Sequence, residues 1–79
     1  MSEFKIGWLG YNSSNDRIGI LNNLDLWDDD GLHCGECFEV WNKDKETWEA
    51  DRLELGNEWY LVYSKLKGDE LEGIKVRYK

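Results

Sequence analysis

The sequence predicts an all-β chain, a small and strongly bent barrel of five to seven short strands. Three observations carry that reading. Apolar residues alternate with polar ones in several runs of about five residues, the period of a strand with one buried face. Clusters of Asn, Asp, Ser, Gly and Lys separate those runs as turns, and no segment sustains a helical period. The chain has 79 residues with five Trp, four Tyr and two Phe. A chain of this size buries only about 60–65% of its unfolded surface, and rings that bury roughly 150–250 Å² each can supply much of so small a core. Residues 1–79 are expected to form one β-barrel domain, since closure removes exposed strand edges.

The elements follow in order. "FKIGWLGY" sets Phe4, Ile6 and Trp8 on one face and Leu9 and Tyr11 on the other, "NSSND" turns, and "RIGIL" brings Ile18 and Ile20 to one face as the second arm of a hairpin. "NNLDLWDDDG" is a polar loop or short strand with Leu24, Leu26 and Trp27 as anchors. "CFEVW" alternates Phe38 and Val40 against Cys37, Glu39 and Trp41, and "NKDKE" turns. In "TWEADRLEL", Trp48 and Ala50 share one parity while Leu53 and Leu55 share the other. Such a phase slip at Asp51 and Arg52 predicts a β-bulge or a sharp bend. "WYLVY" is apolar on both parities and reads as the central strand. "KLKGDELEG" is a loop with room for one helical turn, and "IKVRYK" closes the chain with Ile74, Val76 and Tyr78 inward. On this pattern Trp8, Trp48 and Trp59 belong to the core.

Charge narrows the function. The formal net charge is −7, of which residues 1–40 carry −6 and residues 41–79 carry −1. An acidic chain repels phosphate backbones, so generic DNA or RNA binding is disfavoured. The nucleic-acid alternative would use Lys65, Lys67, Lys75, Arg77 and Lys79. The start "MSEFKIGWLG" lacks the basic and apolar regions of a secretory signal, and the longest apolar run, Trp59–Tyr63, is far short of a membrane span. Two cysteines without such a signal point to free thiols in the cytoplasm.

"GLHCGECFEVW" (Gly31–Trp41) is the stretch that invites a chemical reading. A structural zinc site needs four ligands, and only one Cys pair is present. His33 neighbours Cys34, and adjacent residues of a strand point to opposite faces. "CGEC" has a redox spacing, but Phe, Glu, Val and Trp around Cys37 favour a strand over the helix N-terminus that acidifies a reactive thiol. The expectation is a buried turn leading into a strand, with Gly35 supplying an unusual φ. "DLWDDDG" fails as a calcium loop: with Gly31 at the required glycine, Leu26 and Cys37 fall on ligand positions. No catalytic set and no phosphate loop emerges, and no cofactor or metal is expected.

"GWLGYNSSNDRIGIL", "LHCGECFEVW", a Trp before "DRLEL", "EWYLVY" and "LEGIKVRY" resemble the small proteins grouped as domain-of-unknown-function family 5348. The resemblance spans nearly the whole chain and rests most on "LHCGE", "WYLV" and the ending formed by Leu71, Glu72, Gly73, Val76 and Arg77. It implies a compact SH3-like barrel of Gram-positive bacteria, their phages and mobile elements, with no established activity and no catalytic residues. Cys34 is more typical of that pattern than Cys37, which weakens a dithiol role. The expected function is a non-enzymatic module that binds a protein. Its surface would comprise Trp41, Tyr60 and Tyr63 with the acidic loop Asp28, Asp29 and Asp30, the rings burying on contact and the acids steering a basic partner. A second possibility is an inhibitor of phage or mobile-element type that mimics nucleic acid, for which the acids of the first half should share one face.

Overall fold

Three asparagines start three of the turns. Asn12, Asn22 and Asn42 each accept backbone N–H bonds from residues two to four places on, namely Ser14, Leu24 with Leu26, and Asp44 with Lys45. Each turn then closes through a residue at positive φ, respectively Asp16, Asp25 and Glu46, a role in which short polar side chains are favoured. The structure, a computed structural model, describes residues 4–78. Between the turns lie β1 (Lys5–Asn12), β2 (Arg17–Leu21), β3 (Trp27–Asp29), β4 (Cys37–Asn42), β5 (Thr47–Leu55), β6 (Trp59–Leu61) and β7 (Lys75–Tyr78), with one 3-10 turn at Gly68–Leu71. All pairings are antiparallel, in the order β3-β2-β1-β7-β4-β5-β6. The sheet curls into a half-barrel compatible with an SH3-like architecture. Among the described residues no helix is long and apolar enough to cross a membrane.

The concave face holds the core. Leu9, Ile18, Ile20, Phe38, Val40, Leu53, Leu61 and Val76 point into it, joined by Leu32, Trp59 and Leu71 from the connections and the edge strand. The central strand is β7, whose Val76 is fully buried. "WYLVY" is instead the three-residue edge strand β6. Trp59 and Leu61 face inward, but the chain doubles back after Leu61, where Leu61 N bonds the Leu66 carbonyl and Lys65 N the Leu61 carbonyl. Of its second parity, Tyr60 is exposed on β6 and Val62 lies in the turn, so neither builds a second buried face.

Two further expectations are corrected. β5 carries no bulge: its register with β4 runs unbroken from Cys37↔Arg52 to Asn42↔Thr47, and that with β6 from Leu53↔Leu61 to Leu55↔Trp59. Inward positions are odd throughout, with Asp51 and Leu53 buried. The apparent slip arises because an acid occupies the inside at Asp51 while Trp48 lies outside. The register shift falls instead between Ile20 and Leu21, where β2 meets β3. In β1 the inward residues are Gly7 and Leu9, so Phe4, Ile6 and Trp8 lie on the outer side. Of the three tryptophans assigned to the core, only Trp59 is buried; Trp8 and Trp48 are half-buried.

The segment 31–36 bridges the open side of the curl. Leu32 N donates to the Ile18 carbonyl of β2, Gly35 N to the Leu53 carbonyl of β5, and Leu53 N to the Glu36 carbonyl, at 2.8, 2.7 and 2.9 Å. Gly35 has φ +86, a left-handed conformation that suits glycine. Leu32 is the buried anchor of this turn, and the two free cysteines are exposed, contrary to the buried turn expected. Cys37 sits on the outer parity of β4, which is why its side chain leaves the core.

Candidate functional site

Register builds the outer face. Trp27 of β3 pairs with Leu21 of β2, Leu21 with Trp8 of β1, and Trp8 with Lys75 of β7. Glu39 and Val40 of β4 face Arg77 and Val76, which sets Trp41 beside Lys75, and Trp41 pairs with Trp48 of β5. Six strands thus contribute one transverse row, Trp27–Leu21–Trp8–Lys75–Trp41–Trp48. It holds four of the five tryptophans and spans about 24 Å at one strand spacing per step. Ile6, Arg77, Glu39 and Ala50 form the next row.

Cations are laid among the rings. Lys75 Nζ stands 5.9 Å from the Trp41 ring centre, and the Arg77 guanidinium lies 4.3 Å from Phe4 and 4.8 Å from Trp48. Arg77 Nε also donates to Glu39 Oε1 at 2.6 Å. The Trp41 and Trp48 rings meet edge to face, 5.3 Å apart at 61°, the arrangement aromatic quadrupoles favour. Trp27 lies over the facing glycines Gly10 and Gly19. A Cβ at Gly19 would come within 2.7 Å of that ring. Trp27 is 39% exposed, Phe4 44% and Ile6 47%, so the face is apolar, ordered by cation–π contacts and open.

The residues predicted to form a binding surface fall in separate places. Trp41 belongs to the row. Tyr60, on β6, faces Glu54 of β5 and bridges to Lys67. Tyr63, exposed, lies in the turn beyond β6. Asp28 and Asp29 are in β3, and Asp30 follows it. Two of the carboxylates are engaged within the fold: Asp28 Oδ2 accepts the Tyr78 hydroxyl at 2.9 Å and Asp29 Oδ1 accepts Gly31 N, while at Asp30 the backbone carbonyl accepts the Asn12 and Asn15 side-chain amides. Burial, then the bond to Asp28, pushes the Tyr78 hydroxyl up to about 12. Asp28, Asp29 and Tyr63 do share a cleft at the mouth of the half-barrel with Tyr78, Phe38 and Leu32, without Tyr60, Trp41 or Asp30.

The sequence pattern of a family described as a domain of unknown function, DUF5348, matches residues 7–78. The chain belongs to that family. A crystal structure of a protein from Ruminococcus gnavus, a Northeast Structural Genomics Consortium target, is 40% identical to this DUF5348 chain. It superposes with a TM-score of 0.76, over 94% of this chain and 100% of its own. Among curated proteins none matches.

In this DUF5348 chain the remaining candidates are dispersed as well. Lys75 and Arg77 lie on the outer face, Lys65 and Lys67 in the connection after β6, and Lys79 outside the described residues. The acids of the first half divide: Asp28, Asp29, Glu36 and Glu39 line the mouth cleft, Asp25 a second cleft and Asp16 a third. Among the described residues no three His, Cys, Asp or Glu side chains gather as metal ligands. Sequence reasoning missed Trp8, Trp27 and Trp48 as surface residues. A signal existed for part of the row, since four-residue turns at 13–16 and 43–46 set Trp8 against Leu21 and Trp41 against Trp48.

Proposed function

We propose that this DUF5348 chain is a non-enzymatic binding module that takes a protein partner on the outer face of its sheet. The observation that carries the reading is the transverse row of four tryptophans, Trp27 exposed and Trp8, Trp41 and Trp48 half-buried, interleaved with Lys75 and Arg77. Trp and Arg dominate the energetics of protein interfaces. Covering the remaining surface of one half-buried Trp removes on the order of 100 Å² from water, about 2.5 kcal/mol. Trp41 and Trp48 cost little order on binding, because each other's ring and the cations Lys75 and Arg77 already hold them. The net charge of −7 favours encounter with a basic partner. Free thiols at Cys34 and Cys37 suit a reducing compartment, the cytoplasm. A nucleic-acid mimic is the weaker reading: four acids of the first half gather at the mouth cleft, but Arg52, Arg77 and Lys5 line it with them, and Asp16 and Asp25 lie elsewhere.

The test is affinity capture from cells of the source organism, comparing the wild type with Trp41→Ala, Ile6→Glu and Tyr60→Ala. Ile6 is exposed, so Ile6→Glu tests the face with little burden on folding. Loss of the captured protein with the first two variants and retention with Tyr60→Ala is expected. Retention with both outer-face variants would overturn the assignment.

A further inference from the structure

The tryptophan row ends at β5, and there the sheet has an open edge. β5 is bonded to β4 along Thr47–Arg52 but to β6 only along Leu53–Leu55, with Val62 N donating to the Arg52 carbonyl. In an antiparallel ladder successive residues turn their N–H and C=O to alternate sides. Leu53 N bonds Glu36 on the β4 side and the Arg52 carbonyl bonds on the β6 side, so even-numbered residues of β5 face away from β4. Trp48 and Ala50 therefore present their N–H and C=O groups where, among the described residues, no strand lies. The chain that would continue β6 is drawn aside, since Tyr63 N and Ser64 N both donate to the buried Asp51 carboxylate. Thr47, Glu49 and Ala50 are exposed. No proline blunts this edge and no lysine lies in β5; the charges on the open stretch are Glu49 and the inward-facing Asp51, which the loop at residues 63 and 64 already engages.

We infer that β5 accepts an added strand from the partner along Thr47–Asp51, an extended cationic segment with a basic residue opposite Glu49 and apolar residues flanking it beside Trp48 and Ala50. Strand addition satisfies the open backbone groups and sets specificity by alternate side chains. Charge selects the occupant. A second copy of the chain could pair its Trp48 with Ala50 about a two-fold axis, but that register sets Glu49 against Glu49 between two chains of −7 each. A basic segment is favoured by the chain's −7. Glu49, 47% exposed, takes Asn42 Nδ2 at 3.0 Å and faces the 72% exposed Lys45 Nζ at 4.0 Å, which an incoming cation displaces, and the segment's apolar residues extend the row past Trp48. This inference deepens the docking reading of the outer face.

The experiment is an amide NMR titration of the full chain with acetyl-Thr-Val-Lys-Val-Thr-amide at roughly millimolar concentration, and with the same peptide carrying Glu for Lys. The Lys peptide is expected to shift the Trp48 and Ala50 amides, to slow their solvent exchange, and to bind roughly fivefold more tightly than the Glu peptide, with Glu49→Lys reversing the preference. Ala50→Pro is expected to fold, since an edge strand tolerates proline where its N–H faces solvent, and to lose the shifts. Four results would overturn strand addition: Trp48 and Ala50 amides already protected in the free monomer, their protection in a self-associated dimer, unfolding of Ala50→Pro, or no preference between peptides. Shifts of the Trp8 and Trp41 indoles without these amides would keep the docking face and remove the added strand; amide shifts on a face whose indole substitutions leave capture intact would do the reverse.

Discussion

Replacing Asp51 by alanine should loosen the loop that exposes the β5 edge. Its carboxylate is 4% exposed and accepts three backbone bonds, from Arg52 N at 2.8 Å, Tyr63 N at 2.9 Å and Ser64 N at 3.1 Å. Hydrogen bonds to a charged group are worth about 1.5–3 kcal/mol where the donor stays buried. Tyr63 and Ser64 are exposed residues, so water replaces much of what their N–H groups lose, and roughly 0.5–1 kcal/mol each is the better figure. Arg52 is exposed as well, so its N–H adds a similar amount, roughly 0.5–1 kcal/mol, and release of the carboxylate from its own desolvation returns roughly 1 kcal/mol. The net loss is about 0.5–2 kcal/mol. For a chain of this length that lowers Tm by about 4–15 °C. Urea unfolding with an unchanged m-value is the assay, and amide exchange supplies the local readout. Tyr63 and Ser64 should exchange faster in Asp51→Ala while Val76 in the central strand changes only with global stability. Asp51→Asn keeps one acceptor and should lose about half as much. A change below about 0.5 kcal/mol in Asp51→Ala, or unaltered exchange at residues 63 and 64, would show that the Asp51 carboxylate does not hold this loop.

Other perturbations test other joints. Gly19→Ala sets a Cβ 2.5 Å from the Asp29 carbonyl oxygen and 2.7 Å from the Trp27 ring, so it should cost about 1–3 kcal/mol and shift the Trp27 indole resonance. Gly35→Ala meets no atom within 4 Å but inherits φ +86, and should cost only about 1 kcal/mol with the fold intact by circular dichroism. Tyr78→Phe breaks the bond to Asp28 and should cost about 0.5–1.5 kcal/mol at neutral pH. Because folding raises the Tyr78 hydroxyl from 10.0 to about 12, its contribution is full below pH 10 and disappears as pH rises through 12. The ceiling from that difference, about 2.7 kcal/mol, falls to about 1 kcal/mol once solvent screening at this partly exposed site is counted. Urea unfolding of wild type and Tyr78→Phe should therefore converge between pH 10 and 12, and a gap that persists at pH 12 would contradict it.

Local chemistry was readable and long-range register was not. Asparagine-led turns announced the β1–β2 and β4–β5 hairpins, and strict alternation in "RIGIL" and "CFEVW" placed Ile18, Ile20, Phe38 and Val40 inside. The bend at Gly35 was likewise visible, since glycine beside a strand entrance signals an unusual φ. The failures share one cause: hydrophobicity was taken as burial. Trp8 and Trp48 lie in phase with apolar neighbours, yet the inward positions of β1 and β5 are held by Gly7 and Asp51, residues that an apolar pattern cannot flag. Gly7 is inside because Ile20 and the Leu21 backbone approach too closely for a Cβ. Asp51 is inside because three backbone donors meet there. For the candidate face, two pairs of the row, Trp8 with Leu21 and Trp41 with Trp48, followed from turn lengths. Joining them through Lys75 needed β7 to lie between β1 and β4, and its pairing with β1 spans more than 60 residues, which no local signal encodes.

Where a bound partner covers the sheet decides most directly whether the outer face is the docking surface. Hydrogen exchange on the purified complex with the captured protein should show new protection at residues 6–8, 39–41, 48–50 and 75–77. Protection confined to residues 57–73, around the exposed tyrosines and the 3-10 turn, would contradict it.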